Sequence, residues 1–204
     1  APAAAGDVLG VSVLDLFLAG TWGYLVGAVP TGVIVSRMLR GVDVRHQGSG
    51  HTGGTNVARV AGTWGGLLTV VVDIILGSIA VVGPTLVADD PWVAAVAGVM
   101  GVVGHDWSVF IRFGGGIGLA KLAGAMLAAD TLRAFPTGIA VILLWLLLTR
   151  LLHFHRARST ILVMALVGPL LWALGSPLPV ILLGTLGGLV VTIKTLPDWH
   201  RKYE

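Results

Sequence analysis

Apolar residues along this 204-residue chain gather into long runs, separated by short polar or glycine- and proline-rich breaks. About 20 apolar residues cross a bilayer as a helix, so the runs predict spans near 11–36, 60–83, 92–111, 118–130, 134–152, 160–175 and 178–195. The reading is an all-α, polytopic integral membrane protein of about seven transmembrane helices, with residues 1–204 forming a single membrane domain. The fourth run is short, as expected of a helix that begins inside the membrane beside a buried polar site. Breaks are expected at Gly83-Pro84, Asp90-Pro91, Phe135-Pro136 and Gly175-Ser176-Pro177, and Pro30 predicts a kink within the first span.

Composition agrees. With 55% hydrophobic and 11% charged residues and a mean hydropathy of +0.92, the chain is far more apolar than soluble domains, in which about a quarter of residues are charged. It contains no cysteine, which removes disulfides and thiolate metal sites; no metal or cofactor is expected. The opening APAAAGD reads as a trimmed or processed end, and the first apolar run is too long for a signal-peptide core. The pI near 9.8 does not imply nucleic acid, because the basic residues are strung between apolar runs instead of covering one soluble face.

Threading the seven spans alternately through a bilayer sorts the charges. One side receives Arg37, Arg40, Arg45, Arg59, Arg112, Lys121, Arg150, Arg156, Arg158, Lys194, Arg201 and Lys202; the other receives Arg133. The positive-inside rule makes the first side cytoplasmic. All six histidines fall there too, while Asp7, Asp15, Asp89, Asp90 and Asp130 lie opposite. Positive-inside does not explain histidine, which is mostly neutral at pH 7, so this bias points to a polar site on the cytoplasmic face.

Two glycine clusters lie on that face. The first, Gly48 to Asn56, reads GSGHTGGTN and opens onto an apolar helix. Glycines let the backbone aim its N–H groups at one point, and a helix N-terminus adds partial positive charge, so the loop suits a phosphate. Gly48, Gly50 and Gly53 also satisfy GxGxxG, but a dinucleotide fingerprint follows a strand, and here a helix precedes it. In the plainer reading these glycines only shape a tight turn. The second cluster, Gly114, Gly115, Gly116 and Gly118, again precedes a helix, and the two loops are expected to meet in space. Asp73, inside the second span, is costly in lipid and therefore a candidate for the same site. No GxSxG elbow is present; a transporter is the other chemistry that glycine-interrupted spans and an intramembrane Asp would fit.

These residues carry a resemblance. Gly27 to Gly62, GAVPTGVIVSRMLRGVDVRHQGSGHTGGTNVARVAG, resembles the first signature of the bacterial acyl-phosphate glycerol-3-phosphate acyltransferases of the PlsY type, in which a GS-x-P-x-G helix leads through G-[IV]-D-[IV]-R to GSGN-x-GATN. Val72-Asp73 with Gly77 is similar to VD-x-x-KG, and GHDWSVFIRFGGGIG to GH-x-x-x-x-F-x-x-F-x-GGKG. The resemblance implies a seven-span fold in the bacterial inner membrane. It also implies metal-free transfer of a fatty acyl group from acyl phosphate to glycerol 3-phosphate, with a phosphorylated lipid precursor as partner. Carried over, it makes Ser49, Arg59 and His105 catalytic candidates, with Arg59 neutralising phosphate and His105 supporting the loop. Gly48, Gly50, Gly53, Asn56, Asp73, Gly114, Gly115, Gly116 and Gly118 become substrate-binding candidates.

The sequence departs from the pattern at four places. Leu76 and Ile117 stand where the motifs have lysine, and His51 stands where the first loop has asparagine. The C-terminal RH-x-x-N-I-x-R-L is not recognisable in Ile193 to Glu204, where His200 and Glu204 offer similar chemistry. Arg112, Lys121, His51 and the group His153, His155, Arg156 and Arg158 are the candidates to replace the missing charge. Two readings follow. One is a working acyltransferase; the alternative is an inactive homologue serving as a lipid-binding or structural subunit among other membrane subunits.

Overall fold

The computed structural model describes residues 7, 8 and 11–201, so Lys202 and Glu204 lie outside the described residues. After a two-residue antiparallel ladder, Asp7–Val8 with Val11–Ser12, the described chain is built from helices. In order these are α1 Val13–Gly27, α2 Thr31–Arg40, α3 Gly54–Ala61, α4 Thr63–Thr85 and α5 Pro91–Asp106. Then follow α6 Leu119–Ala129, α7 Thr131–Leu146, α8 Arg156–Ala173 and α9 Leu178–Thr195.

Helices occupy all seven expected segments, and among the described residues five helical stretches are long and apolar enough to cross a membrane: Val13–Arg40, Thr63–Thr85, Thr131–Leu151, Arg156–Ala173 and Leu178–Asp198. The segments expected at 92–111 and 118–130 form α5 and α6, of 16 and 11 residues. Large apolar side chains such as Phe17, Trp64, Leu143 and Trp172 point outward, which in a bilayer is the lipid-facing surface.

Local chemistry explains most of the boundaries. Ser12 accepts the Leu14 N–H at the start of α1, and Asp90 accepts the Trp92 N–H with Pro91 at the first helical position of α5. Pro30, which cannot donate a backbone hydrogen bond, does more than kink the first span: it separates α1 from α2. Phe135-Pro136, expected as a break, lies inside α7. Asp130 supplies the boundary instead, ending α6 and accepting the Arg133 N–H of α7. Pro84 likewise falls inside the last turn of α4, not beyond it.

Lipid offers little hydrophobic drive for one helix to leave it for another, so helices associate where small residues permit close contact. A Cβ on Gly23 would overlap the Ala97 carbonyl, one on Gly27 the Gly101 carbonyl, and one on Gly104 the Tyr24 carbonyl, so α1 and α5 cross backbone to backbone. The α4–α6 crossing repeats this, with Gly77 against the Lys121 carbonyl and Gly124 against the Ile74 carbonyl. Ser78 Oγ also donates to the Gly124 carbonyl at 3.0 Å across that crossing. α5 is enclosed by α1, α4, α6 and α9, and its buried C-terminal end carries His105 and Asp106 into the polar region.

Gly23→Ala should therefore lower the melting temperature in detergent, by about 1–3 kcal/mol of overpacking or more. Gly138→Ala, where an added Cβ meets nothing within 4 Å, should be neutral or slightly stabilising. Equal melting temperatures for the two variants would contradict the close crossing.

Candidate functional site

The first loop is held by two side chains. Gly41, at φ 68°, ends α2 in the left-handed conformation. Asp43 then accepts from the Arg45 backbone N–H at 3.0 Å and from the Arg45 guanidinium at 3.0 and 2.7 Å, while Arg37 donates to it at 2.8 Å. Hydrogen bonding from Arg45, seconded by Arg37, holds the Asp43 carboxyl well below the usual carboxylate range, and the same pairing raises the Arg45 guanidinium. Because the folded value is depressed, this brace is fully present above the ordinary carboxylate pKa and is lost only as pH falls through the lowered one.

Asn56 is the second brace. It is buried on α3, its Oδ1 accepts the Ser49 N–H at 3.0 Å, and its Nδ2 faces the carbonyls of Val44, Gln47 and His51 at 3.2, 3.0 and 3.0 Å. Four backbone contacts fix the turn that Gly48 and Gly50 make at φ 54° and 75°, so the asparagine shapes the cradle from behind. Ser49, Gly50 and Gly53 are half-buried and Gly48 is exposed. α3 begins at Gly54; the Gly53 carbonyl accepts the Asn56 and Val57 N–H groups at 3.0 and 3.1 Å, and the Gly54 and Thr55 N–H groups precede the first helical bond. Arg59 is exposed on the same helix, and its guanidinium makes no hydrogen bond or ion pair within the described residues.

The second loop leaves α5 after Asp106. Ser108 and Gly114 pair as an isolated bridge, and Arg112 and Phe113 hold positive φ at 57° and 58°. Gly116 donates to the His105 carbonyl at 3.3 Å, and a Cβ at Gly116 would occupy the His105 ring. His105 is thus buried against the loop it was expected to support. The two glycine loops meet: Thr52 N–H donates to the Gly115 carbonyl at 3.3 Å, and Arg45 Nη1 to the Ile111 carbonyl at 3.1 Å.

Beneath the loops lies a buried charge cluster. Asp73 Oδ1 is 3.2 Å from Lys121 Nζ and 3.8 Å from His105 Nδ1, with the Lys121 side chain fully buried. Leu76 and Ile117 carry no charge, but Lys121, four residues beyond position 117 in the first turn of α6, reaches the aspartate across the α4–α6 crossing. Lys194 of α9 donates to the Asp106 carbonyl and lies 5.0 Å from the Trp107 ring centroid. Asp106, fully buried, was not singled out by the sequence, although the span expected over 92–111 contains it and an intramembrane carboxylate was the available signal.

The C-terminal segment closes over the first loop. His51 Nε2 lies 2.7 Å from Asp198 Oδ2, Arg201 Nη1 lies 3.1 Å from Asp198 Oδ1, and Arg201 also donates to the Ser49 carbonyl at 2.8 Å. The residues meeting the loop are Asp198 and Arg201, whereas His200 is exposed. Lys194, Asp198 and Arg201 have the spacing of R, N and R in RH-x-x-N-I-x-R-L, and that spacing was the available signal. Arg112 is exposed in the second loop. His153, His155 and Arg158 line an open cleft of about 470 Å³ with Phe154, Leu162 and Trp199, and His155 Nε2 meets the Arg201 carbonyl at 2.7 Å. Among the described residues no group of three His, Asp or Glu side chains could hold a metal ion.

A family model described as Glycerol-3-phosphate acyltransferase matches residues 17–202. The Glycerol-3-phosphate acyltransferase of Synechococcus sp. (strain JA-3-3Ab) is 41% identical over 183 residues, covering 87% of this chain and 85% of that protein. Its counterpart in Rubrobacter xylanophilus is 38% identical over 170 residues, covering 83% and 82%. Among solved structures, PlsY (YgiH), an integral membrane glycerol 3-phosphate acyltransferase in its glycerol 3-phosphate form, has a TM-score of 0.78 at 27% identity, covering 91% of this chain and 90% of that one. The lysophosphatidic acid form gives a TM-score of 0.76 at 26% identity.

Removing one partner of a buried ion pair costs about 3–5 kcal/mol, because the other charge is left alone. Lys121→Met should therefore sharply lower the melting temperature in detergent, and adding Asp73→Asn to it should recover most of the loss. If Asp73→Asn is equally damaging with and without Lys121, the two side chains do not act as a pair.

Proposed function

The chain belongs to the glycerol-3-phosphate acyltransferase family, and on that premise we propose that it moves a fatty acyl group from acyl phosphate to the 1-hydroxyl of glycerol 3-phosphate in phospholipid synthesis. The observation that carries the reading is the direct contact of two glycine-rich loops, one opening a helix N-terminus and the other seated on His105. Both substrates bear phosphate, and two adjoining anion cradles suit a reaction that passes an acyl group between them.

The attacking hydroxyl forms an ester bond to the acyl carbon, and the bond from that carbon to the phosphate oxygen breaks, releasing phosphate. The protein's task is to place two anions side by side and stabilise the charge that moves between them. Gly48, Ser49, Gly50 and Gly53 with the first turn of α3 form one cradle, and Gly114, Gly115, Gly116 and Gly118 the other. Arg59, exposed and without a partner among the described residues, neutralises phosphate in this reading. Asn56 serves binding through the shape it gives the loop, and Asp73 and His105 through the support they give the second loop.

The inactive-subunit alternative rested on Leu76 and Ile117. Lys121 returns a cation to the same region, beside Asp73, so the two replacements no longer argue for an inert protein. With this topology both loops face the cytoplasm of a bacterial plasma membrane, on the strength of the charge asymmetry.

Purified protein in bilayers, given acyl phosphate and glycerol 3-phosphate, should release phosphate and form lysophosphatidate. Arg59→Ala should lower kcat/KM about a hundredfold or more while leaving the melting temperature nearly unchanged, since it removes a charge-assisted contact to phosphate and none within the fold. No turnover in the unmodified protein would refute the enzyme reading. For orientation, cysteines introduced at Ser49 and at the exposed Asp89 should react with membrane-impermeant reagent from opposite sides. Reaction of both from one side would overturn the proposed topology.

A further inference from the structure

We propose that the cleft between the α7–α8 connection and the C-terminal turn binds the phosphate head group of an anionic phospholipid from the surrounding bilayer; this rests on the membrane reading of the fold and not on acyl transfer. Three helix ends meet there: the end of the α7 span, the start of α8 and the turn after α9 that carries Trp199. The backbone makes room for the cleft. From Leu147 to Leu151 the helix widens into a π turn, with the Leu152 N–H reaching back to the Leu147 carbonyl at 3.0 Å, and His153 then holds a φ of 54°. A widened turn and a left-handed residue other than glycine both cost stability, and both recur at ligand sites.

The walls are basic and apolar, and among the described residues no carboxylate lines them. Arg158 lies 5.1 Å from the centroid of the Trp199 ring, and its exposed guanidinium makes no hydrogen bond or ion pair among the described residues. His153 and His155 stand on the same wall, and the cleft continues past Arg156 to His200 and Arg201. Asp198, the acid of that turn, is buried and spends both oxygens on His51 and Arg201. The first turn of α8 holds Arg156 and Arg158 and no acidic residue, an arrangement that the positive end of the helix dipole disfavours and an anion in the cleft would correct.

The apolar side chains decide what carries the anion. Phe154, Leu162 and Trp199 are exposed in the cleft and Leu151 and Leu152 are exposed next to it, a surface that suits acyl chains and has nothing to offer a soluble phosphate. A guanidinium matches phosphate oxygens as a fork, tryptophan settles at the boundary between head groups and chains, and basic pockets between helices at that depth collect anionic lipids. The cleft also backs onto the first glycine loop. His155 Nε2 meets the Arg201 carbonyl at 2.7 Å, while the Arg201 guanidinium donates to the Ser49 carbonyl at 2.8 Å. The C-terminal turn thus has one face toward the cleft and one toward the loop, and a head group seated in the cleft supports the turn from behind.

The test is lipid retention by the full chain purified in detergent, read by native mass spectrometry with phosphatidylglycerol and phosphatidylcholine offered in equal amounts. One phosphatidylglycerol should be held in preference, and Arg158→Gln should lower that preference about tenfold. Arg40→Gln, which removes an exposed cation outside the cleft, should leave it unchanged. Equal retention of the two lipids, or a preference that survives Arg158→Gln, overturns the proposal. Displacement of the lipid by inorganic phosphate makes the cleft a site for soluble anions and overturns it as well. Should Arg158→Gln not fold, the unmodified protein in nanodiscs decides: phosphatidylglycerol, and not phosphatidylcholine, should shield Arg158 from an arginine-directed dicarbonyl reagent, with Arg40 as the internal reference. Labelling of Arg158 that is the same in both lipids overturns the proposal. None of these readouts requires turnover, so their failure is distinct from failure of the acyl-transfer reading.

Discussion

Everything polar in this molecule depends on helix backbones lying against one another without intervening side chains. Gly23, Gly27 and Gly104 bring α1 onto α5, and Gly77 and Gly124 bring α4 onto α6. Surrounded by lipid, such contacts supply dispersion and backbone complementarity where hydrophobic exclusion between helices is weak. They also shorten the reach between side chains. Lys121 arises at the residue whose carbonyl faces Gly77, one turn along α4 from Asp73, and a wider crossing would separate the ammonium from the carboxylate. The cost of placing both charges in a dry interior is thereby offset by their mutual attraction.

Above that layer the loops are fixed by side chains whose bonding capacity is spent internally. Asn56 uses its amide on four backbone groups, and Asp43 uses both oxygens on Arg37 and Arg45. Neither has much left for a ligand. What remains available is the opposite surface of the same turns: the Gly54 and Thr55 N–H groups at the start of α3, the Ser49 hydroxyl, Arg59 and the imidazole of His51. A cradle already shaped before substrate arrives loses little conformational freedom on binding, so more of the interaction energy remains for the reaction.

Much of this was legible in the residues. Seven apolar runs became helices, Pro30 interrupted the first, and GSGHTGGTN with FGGGIG marked two loops that touch. Asp73 was conspicuous because an isolated carboxylate in lipid is expensive. Its partner was one candidate among several: Lys121 stood with Arg112, His51 and the His153 to Arg158 group as a replacement for the missing charge, and only the α4–α6 crossing singles it out. Asp130 outweighed Phe135-Pro136 as a helix boundary because a cap satisfies free N–H groups, while a proline in the second turn removes one bond. Asp198 and Arg201 were hidden by distance along the chain; only the four- and three-residue steps from Lys194 hinted at them.

The union of Ser49 with Arg201 spans 152 residues. A chain emerging from the ribosome inserts its early helices first, and the first loop is exposed long before the last turn exists to meet it. His51 then has no Asp198, and the Ser49 carbonyl has no arginine. Closure of the first loop therefore waits on the segment that follows α9: a chain cut before Asp198 keeps both glycine loops but lacks the contacts that Asp198 and Arg201 make with His51 and Ser49.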